Sequence, residues 1–210
     1  MLIRLLQDSL MPVRCIFCNV RCKPAEIFIC EPCMSDLPWQ ETLETKDPSP
    51  LTVVAAALVY DFPVDAALKL LKFHRRIDYI PGLAELLSRT MDNLSADIDA
   101  LLPMPLHWRR QAMRGFNQAY ELTRVLRKKT GLPLVRGVRR IRPTAYQSGL
   151  NADARRRNLC DAFVAREPVL AKHVLIIDDV ITTGESCRQL AKVVLDAGAE
   201  QVSALAVSRT

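Results

Sequence analysis

The sequence predicts an α/β protein, a parallel sheet flanked by helices, preceded by a small cysteine-rich module. Three observations predict it. Beyond residue 50, apolar β-branched runs alternate with helical periodicities, the pattern of a parallel sheet with crossover helices. Two Cys-x-x-Cys pairs lie within the first 33 residues. The 13 residues from Val174 to Ser186 read as a buried strand that runs into a small, hydroxyl-rich turn and a helix.

The chain has 210 residues, enough for one domain of ordinary size and a small appendage. Half the residues are hydrophobic but only 6% are aromatic, so aliphatic side chains must fill the core. The formal net charge of +6 favours phosphate-rich partners; a solvated basic surface would read the same way. The longest uncharged run, Pro48 to Tyr60, has 13 residues, against about 20 for a membrane-spanning helix. At the N-terminus, Leu2, Leu5, Leu6 and Leu10 share one face of an expected amphipathic helix, and Arg4 and Asp8 interrupt any signal-peptide core. These features lead to the expectation of a cytoplasmic protein with reduced thiols, whose cysteines serve metal binding or packing.

Five of the seven cysteines fall between positions 15 and 33. Cys15 and Cys18, and Cys30 and Cys33, form the two pairs, and each such turn can aim two sulfurs at one point. Two turns facing each other make a tetrahedral sulfur site suited to Zn²⁺, closed to substrate and therefore structural. A segment this short has almost no core, so the metal would supply its folding energy. Cys22 is a fifth thiol that could replace one of the four but lacks a paired spacing. Asp36 to Pro50, rich in Pro, Thr, Glu and Asp, reads as a linker. The expected division is a module of residues 1–45 and a main domain of residues 46–210.

Within the main domain, Leu51–Tyr60 reads as a buried strand, and Val64–Phe73 and Pro81–Leu94 as helices. Ile98–Leu102 is a strand leading into Pro103-Met104-Pro105. Arg109–Lys129 reads as one long helix with Ala112, Phe116, Ala119, Leu122, Thr123 and Leu126 on one side. Leu134–Ile141 is a candidate strand, His173–Ile177 a buried strand, Glu185–Asp196 a helix closed by Gly198, and Val202–Val207 a final strand.

Ligands of open α/β sheets bind at the carboxyl ends of strands, where Asp178 and Asp179 are expected to emerge. Thr182, Thr183, Gly184, Glu185 and Ser186 then open a helix, whose free N–H groups, with added hydroxyls, suit a phosphate; Gly184 permits close approach. Two carboxylates can accept vicinal hydroxyls, so the pattern describes a ribose 5-phosphate. A dinucleotide fold is disfavoured, because G-x-G-x-x-G is absent. A solvated Asp pair before a capped helix is the plain alternative.

Four hydrophobic residues, two acids and a TTG loop resemble the motif for 5-phosphoribosyl-1-pyrophosphate (PRPP) in type I phosphoribosyltransferases. Two further stretches narrow the match: Pro103-Met104-Pro105-Leu106 with Arg109, Arg110 and Arg114-Gly115-Phe116-Asn117-Gln118, and Arg142-Pro143-Thr144 through Gln147 and Leu150 with Arg155, Asn158 and Ala162-Phe163. With the four cysteines and Leu70-Leu71-Lys72-Phe73, the chain resembles the ComF (competence protein F, GntX-like) family over nearly its whole length. The resemblance implies that Asp178 and Asp179 hold the ribose hydroxyls, that Thr182–Ser186 cradle the 5′-phosphate, and that Mg²⁺ accompanies PRPP. It also implies that Arg109, Arg110, Arg114, Arg142 and Arg155 meet pyrophosphate, form part of a lid, or contact nucleic acid. The basic stretches agree: Arg136–Arg157 holds seven arginines and one acid, and His107–Lys129 holds seven Lys or Arg and one acid. Lys72 is a candidate pyrophosphate contact, although a lone helical Lys more often faces solvent. The family points to natural transformation, handling incoming single-stranded DNA with a DNA-uptake helicase and recombination proteins. The alternative is an active transferase moving ribose 5-phosphate to a base or amine. Few aromatics are available for base stacking.

Overall fold

Four strands of Val, Ile, Leu and Ala lie parallel at the centre because each is apolar on both sides and buries both. The structure, a computed structural model, describes residues 12–26, 28–40, 43–44, 49–94, 97–142 and 162–210. In chain order the main sheet comprises β1 (Leu43–Glu44), β2 (Val53–Val59), β3 (Ala100–Pro103), β6 (His173–Ile181) and β7 (Gln201–Arg209). Its spatial order is β1-β2-β7-β6-β3, and only β1 runs antiparallel. A separate antiparallel pair joins β4 (Val138–Arg140) to β5 (Phe163–Ala165).

The helices divide between two faces. Val174 and Ile176 of β6 pack with Val202 and Ala204 of β7 in one apolar cluster, which also holds Leu190 and Val194 of α6 (Glu185–Asp196) and Phe163 of β5. Leu175 and Ile177 face the other way, into a cluster with α2 (Val64–His74), α3 (Ile80–Met91) and α5 (Gln118–Thr130). Leu68, Leu71, Leu83, Leu87, Leu122 and Leu126 fill it, each fully buried.

The cysteine module belongs to this second layer. Arg14 and Arg21 bridge antiparallel around the first Cys-x-x-Cys turn, where Asn19 takes a left-handed φ of 61° and its N–H donates to the Cys15 carbonyl. The second pair straddles the start of α1 (Glu31–Asp36), with Cys30 as N-cap. Ile16, Ile29 and Leu37 lie in the same cluster as Leu83, Leu86 and Leu87. Close approach depends on Gly82 in the first turn of α3: a Cβ there would stand 2.9 Å from Ile16 Cδ1 and 3.2 Å from Phe28 Cβ. Gly82→Leu should therefore cost about 1–3 kcal/mol by overpacking. The thermal midpoint should fall by about 2–4 °C per kcal/mol for a chain of this size; an unchanged melt would remove this contact from the account.

Three expectations need correction. The stretch Arg109–Lys129 is two helices, α4 (Trp108–Arg114) and α5, not one. Gly115 ends α4 with φ 85°, and Asn117 caps α5 by accepting from the Tyr120 N–H at 3.4 Å. Ala112, assigned to the apolar side, is exposed. Part of the expected linker is sheet edge: Val59 N donates to Pro38 O and Gln40 N to Ala57 O, Trp39 bridges Leu58, and β1 continues along β2. The physical reason is that the outer backbone groups of β2 need partners. The candidate strand Leu134–Ile141 splits, its front bridging Leu101 of β3 and its end forming β4. The N-terminal helix and the segment Pro143–Asp161 lie outside the described residues. Among the described residues no helix is long and apolar enough to cross a membrane.

Candidate functional site

Strand β3 ends at Pro103, opposite Ile177, while β6 continues along β7 to Ile181. Asp178 and Asp179 therefore lie inside β6, at the step where its neighbour stops, and not beyond the strand's end as the sequence suggested. The alternation of β6 sends them to opposite faces. Asp179, on the α2 side, forms an ion pair with Lys72 at 3.1 Å, both side chains being largely buried. Lys72 is thus no solvent-facing lysine. Asp178, on the α6 side, senses the positive charge of Arg140 on β4, and its own oxygen Oδ1 accepts from the Asp179 N–H at 2.8 Å. In the sequence Arg140 is one member of a basic stretch with nothing to single it out; the structure gives it this particular place. Burial and then the like charge of Arg110 lower its pKa.

Burial, reinforced by the charge of Asp179, pushes the Asp178 carboxyl up to about 7, while the Asp179 N–H, Lys72 and Arg140 pull the other way. In the unfolded chain the same carboxyl titrates near about 4. Between those values the native state holds the extra proton, so stability is highest below the window and falls as pH rises through it. Asp178→Asn cannot ionise and should flatten this dependence. Thermal midpoints at pH 5 and pH 8 check it; equal differences in variant and wild type would contradict the assignment.

The turn after β6 leads directly into the head of a helix. Gly184 has φ 73° and is the N-cap of α6, leaving the first-turn N–H groups of a 12-residue helix at its head. Thr182 and Thr183 are exposed, and Thr183 Oγ1 accepts from the Glu185 N–H at 3.4 Å. Glu185 is buried and its carboxylate is engaged by Arg188 at 3.0 Å and Gln189 at 2.8 Å, so its side chain is turned to its own helix and not to a ligand. Arg188 also donates to the Thr183 carbonyl at 2.8 Å, bracing the turn. Ser186 is half-buried on the first turn of α6.

The other arginines divide. Arg109 is exposed on α4, Arg110 is half-buried beside it, and Arg114 donates to Gln118 Oε1 at 3.1 Å. Arg142 is exposed just past β4. Arg155 lies outside the described residues. The structure gives Asn117 a role without a ligand: its Nδ2 donates to the Met104 carbonyl at 3.1 Å, tying α5 to the loop after β3, whereas Gln118 Nε2 is buried with no hydrogen-bond partner among the described residues.

In the cysteine module the sulfurs of Cys15, Cys18, Cys30 and Cys33 all lie within 4.8 Å of one another, a group that could hold a metal ion. Cys18 and Cys30 are 3.5 Å apart, close to the roughly 3.8 Å edge that Zn–S bonds of about 2.3 Å would give a tetrahedron. Burial would raise the Cys15 thiol, but backbone N–H groups of Cys18, Cys30 and Phe17 hold it at about 7. Cys22 stands outside the group, and burial raises it to about 11.

A parallel sheet whose strand β6 delivers two carboxylates and a hydroxyl-bearing turn into a helix defines an α/β protein with a candidate ligand site at the step of its sheet. No protein-family model matches the chain. It is 34% identical over 179 residues to DNA utilization protein YhgH of Salmonella typhi, covering 82% of this chain and 74% of that protein. It is 33% identical over 180 residues to YhgH of Escherichia coli K12, with the same coverage of 82% and 74%. Competence protein F of Haemophilus influenzae is 35% identical over 115 residues, 53% of this chain and 50% of that one. The chain belongs to the ComF family, with YhgH and competence protein F. Among solved structures, the glutamine PRPP amidotransferase from B. subtilis shares 18% identity at a TM-score of 0.38, over 61% of this chain and 26% of that one. A purine phosphoribosyltransferase from Pyrococcus horikoshii shares 18% at 0.34, over 65% and 83%.

Proposed function

We propose that this protein binds PRPP with Mg²⁺ at Val174–Ser186 and serves natural transformation, handling incoming single-stranded DNA with a DNA-uptake helicase and recombination proteins. The observation that carries the reading is the pair Asp178 and Asp179 set beside the Gly184 turn, in a chain related to a competence protein and a DNA utilization protein. The turn and the head of α6 hold the 5′-phosphate, and the carboxylates hold the ribose hydroxyls. Lys72 releases Asp179 or turns to the pyrophosphate. Arg109, Arg110, Arg114, Arg142 and Arg155 meet pyrophosphate or a nucleic-acid backbone, because guanidinium groups pair with phosphate bidentately. The carboxylates offer the hard oxygen donors that Mg²⁺ prefers, and the ion would offset pyrophosphate charge when bound. The four cysteines fit a structural Zn²⁺ by donor type and spacing. Residues 1–45 act as a closed metal module and residues 46–210 as the ligand-binding part, in the cytoplasm.

A second reading, transfer of ribose 5-phosphate to a base or amine, is favoured by the carboxyl groups at the open step of the sheet, which can balance positive charge developing on the ribose. Calorimetric titration with PRPP and Mg²⁺ tests the pocket: saturable binding is expected, and its absence in folded protein would refute it. Asp179→Asn in the native host tests the biological role, where an unchanged transformation frequency would exclude it.

A further inference from the structure

We propose that α4 and the end of α2 form a stacking platform for the bases of single-stranded DNA, an assignment that rests on the DNA-handling role and gives it a surface. Helix α4 buries none of its seven residues and carries three arginines and no acid. Trp108 is 65% exposed and Met113 77%, although a helix on a folded protein normally turns such side chains inward. Phe73, in the last turn of α2, is 69% exposed.

Each exposed ring has its own cation. The Arg109 guanidinium lies 5.3 Å from the Trp108 ring, and that of Arg114 lies 6.0 Å from the Phe73 ring. Arg75 occupies the left-handed C-cap of α2 at φ 54°, a position that favours glycine, and reaches across to the Met113 carbonyl at 3.5 Å. Two helices distant in sequence are thereby joined, each carrying an exposed ring with a guanidinium group beside it. Among the described residues no carboxylate forms an ion pair with Arg75, Arg109 or Arg114. A polyanion whose units each present a flat ring fits this chemistry: bases stack on the rings and phosphates meet the arginines, with little dependence on sequence. A duplex, with its bases turned inward, offers no such rings.

The test is fluorescence anisotropy of labelled dT20 with the zinc-loaded full chain, together with an abasic strand of equal length. Trp108→Ala should weaken dT20 binding about tenfold, leave the salt dependence unchanged and leave PRPP titration unchanged. Arg109→Ala with Arg114→Ala should instead lower the slope of log affinity against log salt by about 1.4, the value for two contacts on a single strand. The abasic strand should bind wild type no better than dT20 binds Trp108→Ala. Wild-type binding that survives both Trp108→Ala and base removal would overturn the platform and leave the DNA-handling role standing. No saturable wild-type binding to dT20 would overturn both. Trp108 and Phe73 are surface residues, so loss of fold is not expected, and far-UV circular dichroism verifies it.

Discussion

Cys30→Ser should cost the protein its metal and a large part of its stability. The side chain is one of four converging sulfurs, and the residue also stands at the N-cap position of α1. Metal binding and folding of such a module are one equilibrium, because an unfolded chain has no preformed site. The loss will not stay local: Cys15, Ile16, Cys22, Ile29, Cys30 and Leu37 share an apolar cluster with the buried leucines of α3 and α5. We expect a cost of about 4 kcal/mol or more, the range of mutations that remove a structural metal. At about 2–4 °C per kcal/mol, the midpoint should fall by roughly 10 °C. Cys22→Ser is the control and should retain one equivalent of metal. Elemental analysis beside scanning calorimetry decides the matter; Cys30→Ser with full metal content and an unaltered melt would exclude the four-sulfur centre.

Replacing both Asp178 and Asp179 with asparagine should remove PRPP binding while making the empty protein more tolerant of high pH. Each carboxylate would accept a charge-assisted hydrogen bond worth about 1.5–3 kcal/mol. Losing both weakens affinity by roughly a hundredfold to ten-thousandfold at about 1.4 kcal/mol per decade. The same change removes the mutual repulsion and burial that raise the Asp178 carboxyl. Strongly perturbed carboxyl groups of this kind concentrate at functional sites, which is why the pair is chosen for the test. Calorimetry with PRPP and thermal melts at pH 8 read both effects. Wild-type affinity in the double variant would refute the site even if the pH effect occurred.

The long apolar periodicities are legible in the sequence. Helix α6 is bounded there at Glu185 and Asp196, as found, because Gly184 precedes it and Gly198 follows it. Strands β2, β6 and β7 announce themselves by β-branched runs buried on both faces. The break between α4 and α5 is hidden because one apolar stripe can be drawn across it; Arg114-Gly115-Phe116-Asn117 carries the signal, a glycine stop followed by an asparagine cap. Lys72 and Arg140 cannot be assigned from sequence, since a cation's spacing along its own element says nothing about which carboxylate a distant strand brings to it. Strand β4 falls within the candidate strand Leu134–Ile141, whereas β5, three residues long, is too short for periodicity to register. The two carboxylates stand out in the sequence, but their opposite orientation follows from the strand extending past them, which depends on the pairing of β6 with β7 as far as Ile181.

The edge contact made by residues 38–40 and 43–44 has a practical consequence for dissecting this protein. A truncated chain beginning at residue 46 would strip β2 of its outer neighbour and uncover the faces of Leu83, Leu86 and Leu87 that the cysteine module covers. A bare strand beside an exposed leucine surface invites self-association. Poor solubility of such a truncation would therefore report a wounded sheet, and point substitutions at the cysteines give the cleaner measure of what the module contributes.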